Sequence, residues 1–200
     1  MSKLMITLLV GAGLALAGCA TQREAPVASR APISKDAYDT AVKNAETRYR
    51  ADKDACASRS GNAKDLCLAE ASGREKVAKA DAEAAYKNTP KAREDARDAR
   101  AEAAYRVAKE RCDELSGNAK DVCVKEADAK RVRAKADAKA DMVAADTQED
   151  STAKQAEARR KAEQDKRDAD YKVAIEKCDA LSGAAKSTCV EDAKLRFGKS

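Results

Sequence analysis

The sequence predicts an all-α protein of elongated, coiled-coil-like helical hairpins, three in a row, each stapled by one disulfide. Two observations predict it. A segment of one form occurs three times: YRADKDACASRSGNAKDLCLAEA from Tyr49, YRVAKERCDELSGNAKDVCVKEA from Tyr105 and YKVAIEKCDALSGAAKSTCVEDA from Tyr171. In each, a Cys follows the Tyr by seven residues, Ser-Gly stands near the middle, and a second Cys comes eleven residues after the first. The composition points the same way, with Ala about a quarter of the chain, charged residues 38% and aromatics 3%. Alanine buries little area, so such a chain favours long helices with thin seams over a thick core. Disorder is the competing state for a chain so charged and so poor in large apolar groups.

The elements follow in order. Met1 to Gly18 has a positive start at Lys3 and an apolar run from Leu4 to Ala15, too short for a comfortable membrane span and shaped as an export signal. Residues 19–33 hold two of the three prolines without helical periodicity and read as a flexible tether. The first hairpin is expected over 34–88, with Ser34 as N-cap, a helix from Lys35 to about Ser60, and a second from Ala63 to about Asn88. Thr89-Pro90 then starts the second hairpin, 89–146, as cap and first helical residue. Its helices reach Ser116 and run from Ala119 to Asp146. The third hairpin, 147–200, follows a break at Thr147 to Asp150, with helices from Ser151 to Ser182 and on to Phe197. That break is weak enough to leave a continuous fourth and fifth helix open.

At the turns, Gly61, Gly117 and Gly183 suit a left-handed position. Asn62 and Asn118 have the spacing of capping boxes with Asp65 and Asp121. The third copy has Ala184 and Ser187 instead, which predicts the least well capped hairpin.

In one unbroken helix the two thiols of a repeat would stand about 16 Å apart along the axis. A disulfide needs Cα atoms roughly 4.4–6.8 Å apart. Folding back at the Ser-Gly turn brings Cys56 to Cys67, Cys112 to Cys123 and Cys178 to Cys189, with Ala108, Ala119 and Ala127 as small neighbours. Heptad-like spacing puts Tyr105, Ala108, Cys112 and Leu115 on an inner seam. The same count sets Tyr49 opposite Arg74, Tyr105 opposite Lys130 and Tyr171 opposite Arg196, predicting a cation across each ring.

The residues also exclude function classes. There is no His, and two thiols per repeat do not make a closed zinc site. No Cys-x-x-Cys, phosphate-cradling loop or Gly-x-Ser-x-Gly occurs, so neither an enzyme nor a bound cofactor or metal is expected. Basic and acidic residues, 40 and 35, are interleaved, which reads as a solvated helix surface and not a nucleic-acid interface.

Leu16-Ala17-Gly18-Cys19 at the end of the apolar run resembles the lipobox of bacterial lipoproteins. The resemblance implies a diacylglycerol on the sulfur of Cys19 and cleavage before it. Seven cysteines then leave three pairs, whereas ordinary cleavage after Ala17 would leave Cys19 unmodified. By the sorting rule of Gram-negative lipoproteins, Ala20 implies the outer membrane, the body lying in the periplasm, where disulfides persist. The body resembles uncharacterised cysteine-repeat envelope lipoproteins and, in composition, the helical region of TolA-like cell-envelope proteins. It differs from the small helical lipoprotein tied to peptidoglycan by a C-terminal Lys, because Lys199 is penultimate. The expectation is an outer-membrane lipoprotein acting as a spacer or docking element. The alternative is a chaperone-like or peptidoglycan-binding module using basic helix faces. The partners expected are the membrane, through the lipid, and an envelope protein or the wall; the oligomeric state is open.

Overall fold

The computed structural model describes residues 31–146 and 152–199. They form six helices: α1 Lys35–Cys56, α2 Gly61–Lys87, α3 Pro90–Cys112, α4 Gly117–Asp146, α5 Thr152–Cys178 and α6 Gly183–Phe197. The signal segment, Cys19 and the break at Thr147 to Asp150 lie outside the described residues. Within the tether, Ile33 donates its amide to the Ala85 carbonyl at 3.1 Å, which pins the chain against α2 as it enters α1.

Helix starts follow local chemistry. Ser34 Oγ accepts from the Ala37 amide at 3.2 Å, and Thr89 Oγ1 from the Ala92 amide at 3.1 Å, with Pro90 first in α3. Each helix before a turn ends on its cysteine, so the expected ends at Ser60, Ser116 and Ser182 overshoot by four residues. Reversal has to begin at once for a thiol eleven residues on to return. It does so through tightened i→i+3 bonds, Arg59 to Cys56, Leu115 to Cys112 and Leu181 to Cys178. Gly61, Gly117 and Gly183 then take φ of +53°, +55° and +55°. Leu115 accordingly leaves the expected inner seam and stands in the turn, 45% exposed. Ser60 and Ser182 alike make no side-chain cap bond, so the third turn is built as the first is and is not the poorer one.

Every helix packs only on its sequence neighbours, giving one layer of antiparallel helices: α1, α2, α3, α4, α5, α6 in that order. The α2–α3 and α4–α5 contacts are as extensive as those inside the hairpins, so the three repeats make one continuous array. Since α4 and α5 pack side by side, they are not one running helix. Up-and-down order puts all three disulfides at one end of the layer and the starts of α1, α3 and α5 at the other.

The core is a line of alanines. Ala71, Ala82, Ala96, Ala101, Ala127, Ala138 and Ala169 are buried in the seams, and the largest fully buried side chains are Cys56, Cys112 and Cys178. Seams this thin allow close approach: a Cβ on Gly73 would lie 3.1 Å from the Ala103 Cβ. Among the described residues no helix is long and apolar enough to cross a membrane.

Candidate functional site

With no thick core, the chemistry of this protein lies in its stapled tips, its seams and its outer faces. The disulfides are Cys56–Cys67, Cys112–Cys123 and Cys178–Cys189, each with Cα atoms 5.7 Å apart. Around the middle one, Ala127 is buried and Ala119 is exposed. Each staple removes chain entropy from the unfolded hairpin, about 3 kcal/mol for a loop of this size.

Asn62 and Asn118 do not cap their own helices, because α2 and α4 already start at Gly61 and Gly117 and leave each Asn inside the first turn. Instead Asn62 Nδ2 donates to Glu114 Oε1 at 3.1 Å, and Asn118 Nδ2 to the Glu176 carbonyl at 3.0 Å. Both bonds tie one tip to the next. In the third repeat that position is Ala184.

The three expected ring–cation pairs are all displaced. Arg131, not Lys130, lies over Tyr105 at 4.8 Å from the centroid. Tyr171 receives the edge of Phe197 at 6.2 Å and Lys199 at 5.9 Å, while Arg196 sits over Phe197 at 5.5 Å. Arg74 turns to Asp52, with its Nε at 3.1 Å and Nη2 at 3.0 Å, and not to Tyr49. The cause is the pitch of the seam. Along α4 it passes through Cys123, Ala127, Arg131, Lys135 and Ala138, stepping mainly by four. The residue opposite the ring is therefore eight past the Cys, where a heptad count gives seven. That position is Arg131 in the second repeat, Phe197 in the third and Glu75 in the first. Sequence reasoning missed the stack of Tyr38 on Tyr86, centroids 5.1 Å apart, which lies in the same shifted register.

The junctions between repeats share one pattern. The base just before the first Cys pairs with the acid three residues past the preceding repeat's second Cys: Arg111 with Glu70 at 3.5 Å, and Lys177 with Glu126 at 2.6 Å. Eleven residues further along both helices, Arg100 pairs with Asp81 and Lys166 with Asp137. Between these clasps lie the small residues Gly73 against Ala103, and buried Ala129 on the α5 side of α4. Helix α1 carries Asn44 and Ala55 where α3 and α5 carry the two bases, so its outer edge lacks both clasps, as suits the end of an array.

The α3–α4 seam is the most charged. Glu102 accepts from Arg131 at 3.0 Å and Lys135 at 3.1 Å. Burial pushes its carboxyl up, but these donors outweigh burial and hold it below the ordinary range. Burial pushes the Asp98 carboxyl up, against the pull of Lys135 and with the help of nearby Glu94. Glu94 is 8% exposed, with Lys91 at 3.4 Å and Lys139 at 3.8 Å. Among the described residues no group of three or more potential ligands could hold a metal.

On one face of α2, α1 and α3 flank a groove of about 1180 Å³, lined by Ala45, Tyr49, Ala71, Gly73, Ala78 and Ala104 among others. The N-terminal half of α5 carries Lys154, Arg159 and Arg160, exposed and without an acidic partner among the described ion pairs. No protein-family model matches the chain, and no curated protein or solved structure is found to be similar to it.

Proposed function

We propose that the chain is an outer-membrane-anchored periplasmic lipoprotein that serves as a spacer or docking element of the cell envelope. One observation carries the reading: the helices lie in a single layer, clasped along every junction and stapled at every tip. Such a layer uses its sequence to hold a shape, and among the described residues both broad faces are left open to other molecules. The three disulfides suit an oxidising compartment. The lipobox-like Leu16-Ala17-Gly18-Cys19 supplies the anchor, and the acyl chains on Cys19 hold the chain at the bilayer.

Palmitate labelling with membrane fractionation tests the anchor. Label should enter the wild type and not Cys19→Ser, and the wild type should band with outer membranes; an unlabelled wild type contradicts the proposal. Cryotomography of cells lacking the chain tests the spacer role through the spacing beneath the outer membrane.

Lys154, Arg159 and Arg160, exposed and without an acid among the described ion pairs, favour a second reading, a binding module that holds an anionic wall polymer or client on a basic helix face. Salt-sensitive retention of the chain on isolated peptidoglycan would support it, and retention unchanged by Arg159→Glu/Arg160→Glu would count against it.

A further inference from the structure

Two surfaces of the third hairpin are left bare by the described residues, and they complement each other. Helices α2 and α4 run on to Lys87 and Asp146, well past their cysteines, and cover the whole of the helix before them. Helix α6 stops at Phe197, and just past its end Lys199 reaches back to Asp168 of α5 at 2.6 Å. From Thr152 to about Arg167, α5 therefore has α4 on one flank and no described residue on the other. Gln164 and Arg160 precede Tyr171 by seven and eleven residues, which puts them on the flank where Tyr171 meets Phe197. On that flank Arg160 is exposed and has no acid among the described ion pairs, Glu157 stands about one turn from it, and Lys161 beside it is held by Asp165 at 3.6 Å.

The second surface is the outer edge of α6. Asp192 stands where Glu70 and Glu126 stand in the earlier repeats, and both of those hold a cation of the next helix. Asp192 is exposed and has no cation among the described ion pairs. Leu195 stands where Gly73 and Ala129 are buried against the next helix, yet it is 80% exposed. The edge keeps an acid and gains a large apolar side chain that no described residue covers.

We propose that two copies of the chain associate about a two-fold axis, the α6 of each lying between its own α5 and the bare half of the partner's α5. The lengths agree: α6 spans about 22 Å, and the bare stretch of α5 about 24 Å. The charges agree as well. With the two α6 helices end to end, Asp192 comes beside Arg160 of the partner subunit, and Leu195 lies along the aliphatic stems of that flank. Both contacts form at once and close the assembly, as an isologous interface does. The α1 edge of a second copy is the poorer occupant, because Asn44 and Ala55 replace the clasp bases there. This pairing does not rest on the lipid anchor, so its failure leaves the proposed function untouched.

Sedimentation equilibrium of the full chain in non-ionic detergent tests it, with the wild type, Leu195→Glu, Asp192→Arg, and Asp192→Arg combined with Arg160→Asp. Positions 192 and 195 are exposed, and circular dichroism checks that each variant remains helical. The expected result is a wild type of twice the chain mass, each single variant weakened by about tenfold or more in Kd, and association restored in the charge-exchanged variant. A monomeric wild type, an open polymer, a dimer indifferent to both single variants, or a charge exchange that fails to rescue would each overturn the proposal.

Discussion

Replacing Gly73 by larger residues tests whether the repeats form one clasped array. Gly73 is buried where α2 crosses α3, and a Cβ there would meet the Ala103 Cβ at 3.1 Å. Gly73→Ala gains about 1 kcal/mol of helix propensity and loses a similar amount to a contact from which Ala103, on a packed helix, must withdraw by a few tenths of an ångström. Its net effect should be close to zero. Gly73→Leu has no such balance, since the added atoms must push α2 and α3 apart and strain the Arg111–Glu70 and Arg100–Asp81 clasps. A cost of about 1–3 kcal/mol follows from overpacking of this kind. Ala129→Leu, at the same register on α4, should behave alike, while Ala134→Leu, exposed on the same helix, should move stability by no more than about 0.5 kcal/mol. Urea denaturation with intact disulfides measures the shifts, and amide exchange locates them. Loss of protection in α2 and α3, with α5 and α6 spared, is expected of an array whose contacts are nearest-neighbour. A Gly73→Leu variant as stable as the wild type would refute the close crossing.

Removing the middle staple with Cys112→Ser/Cys123→Ser should cost about 3 kcal/mol in the same titration, concentrated in α3 and α4. The Asp98→Asn variant should be at least as stable as the wild type at neutral pH. Burial raises the folded-state pKa of Asp98, so its unfavourable effect is full above that value and disappears as pH falls toward the ordinary carboxylate range. The wild type and variant should therefore converge on acidification, which thermal melts across pH 3–7 measure. Glu102 has the opposite sign: its lowered pKa gives stability that is present at neutral pH and lost in acid. Charge reversal at one clasp, Glu126→Lys, should cost about 0.5–1 kcal/mol at low salt and less at high salt, with recovery on adding Lys177→Glu; an unchanged salt dependence would count against the clasp.

Much of the hairpin architecture was legible because cysteine spacing and turn chemistry act locally. An eleven-residue separation with Ser-Gly at its middle has few ways to close, and Thr89-Pro90 marks a helix start by backbone chemistry alone. What was not legible depends on distances that grow along a helix. Counts of seven and eight differ by one residue, but on a helix that is about 100°, enough to put Lys130 in water and Arg131 on the ring of Tyr105. The helix ends were misplaced for a related reason: Ser60, Ser116 and Ser182 look like helix termini, yet reversal has to start at the cysteine. Asn62 and Asn118 read as caps because the short-range rule is satisfied, whereas each reaches to the neighbouring tip. The junction clasps could have been found from the sequence. Glu70, Glu126 and Asp192 recur three residues past a Cys, and Arg111 and Lys177 stand one residue before one, a pairing that the layer of helices then explains.

Non-reducing peptide mapping combined with intact mass, on protein extracted from native membranes, tests the central claim most directly. The account predicts three links, Cys56 to Cys67, Cys112 to Cys123 and Cys178 to Cys189, and an N-terminal Cys19 carrying its acyl chains. Free or metal-bound thiols, or links running between different repeats, would contradict the stapled array, and an unmodified Cys19 would contradict its anchor.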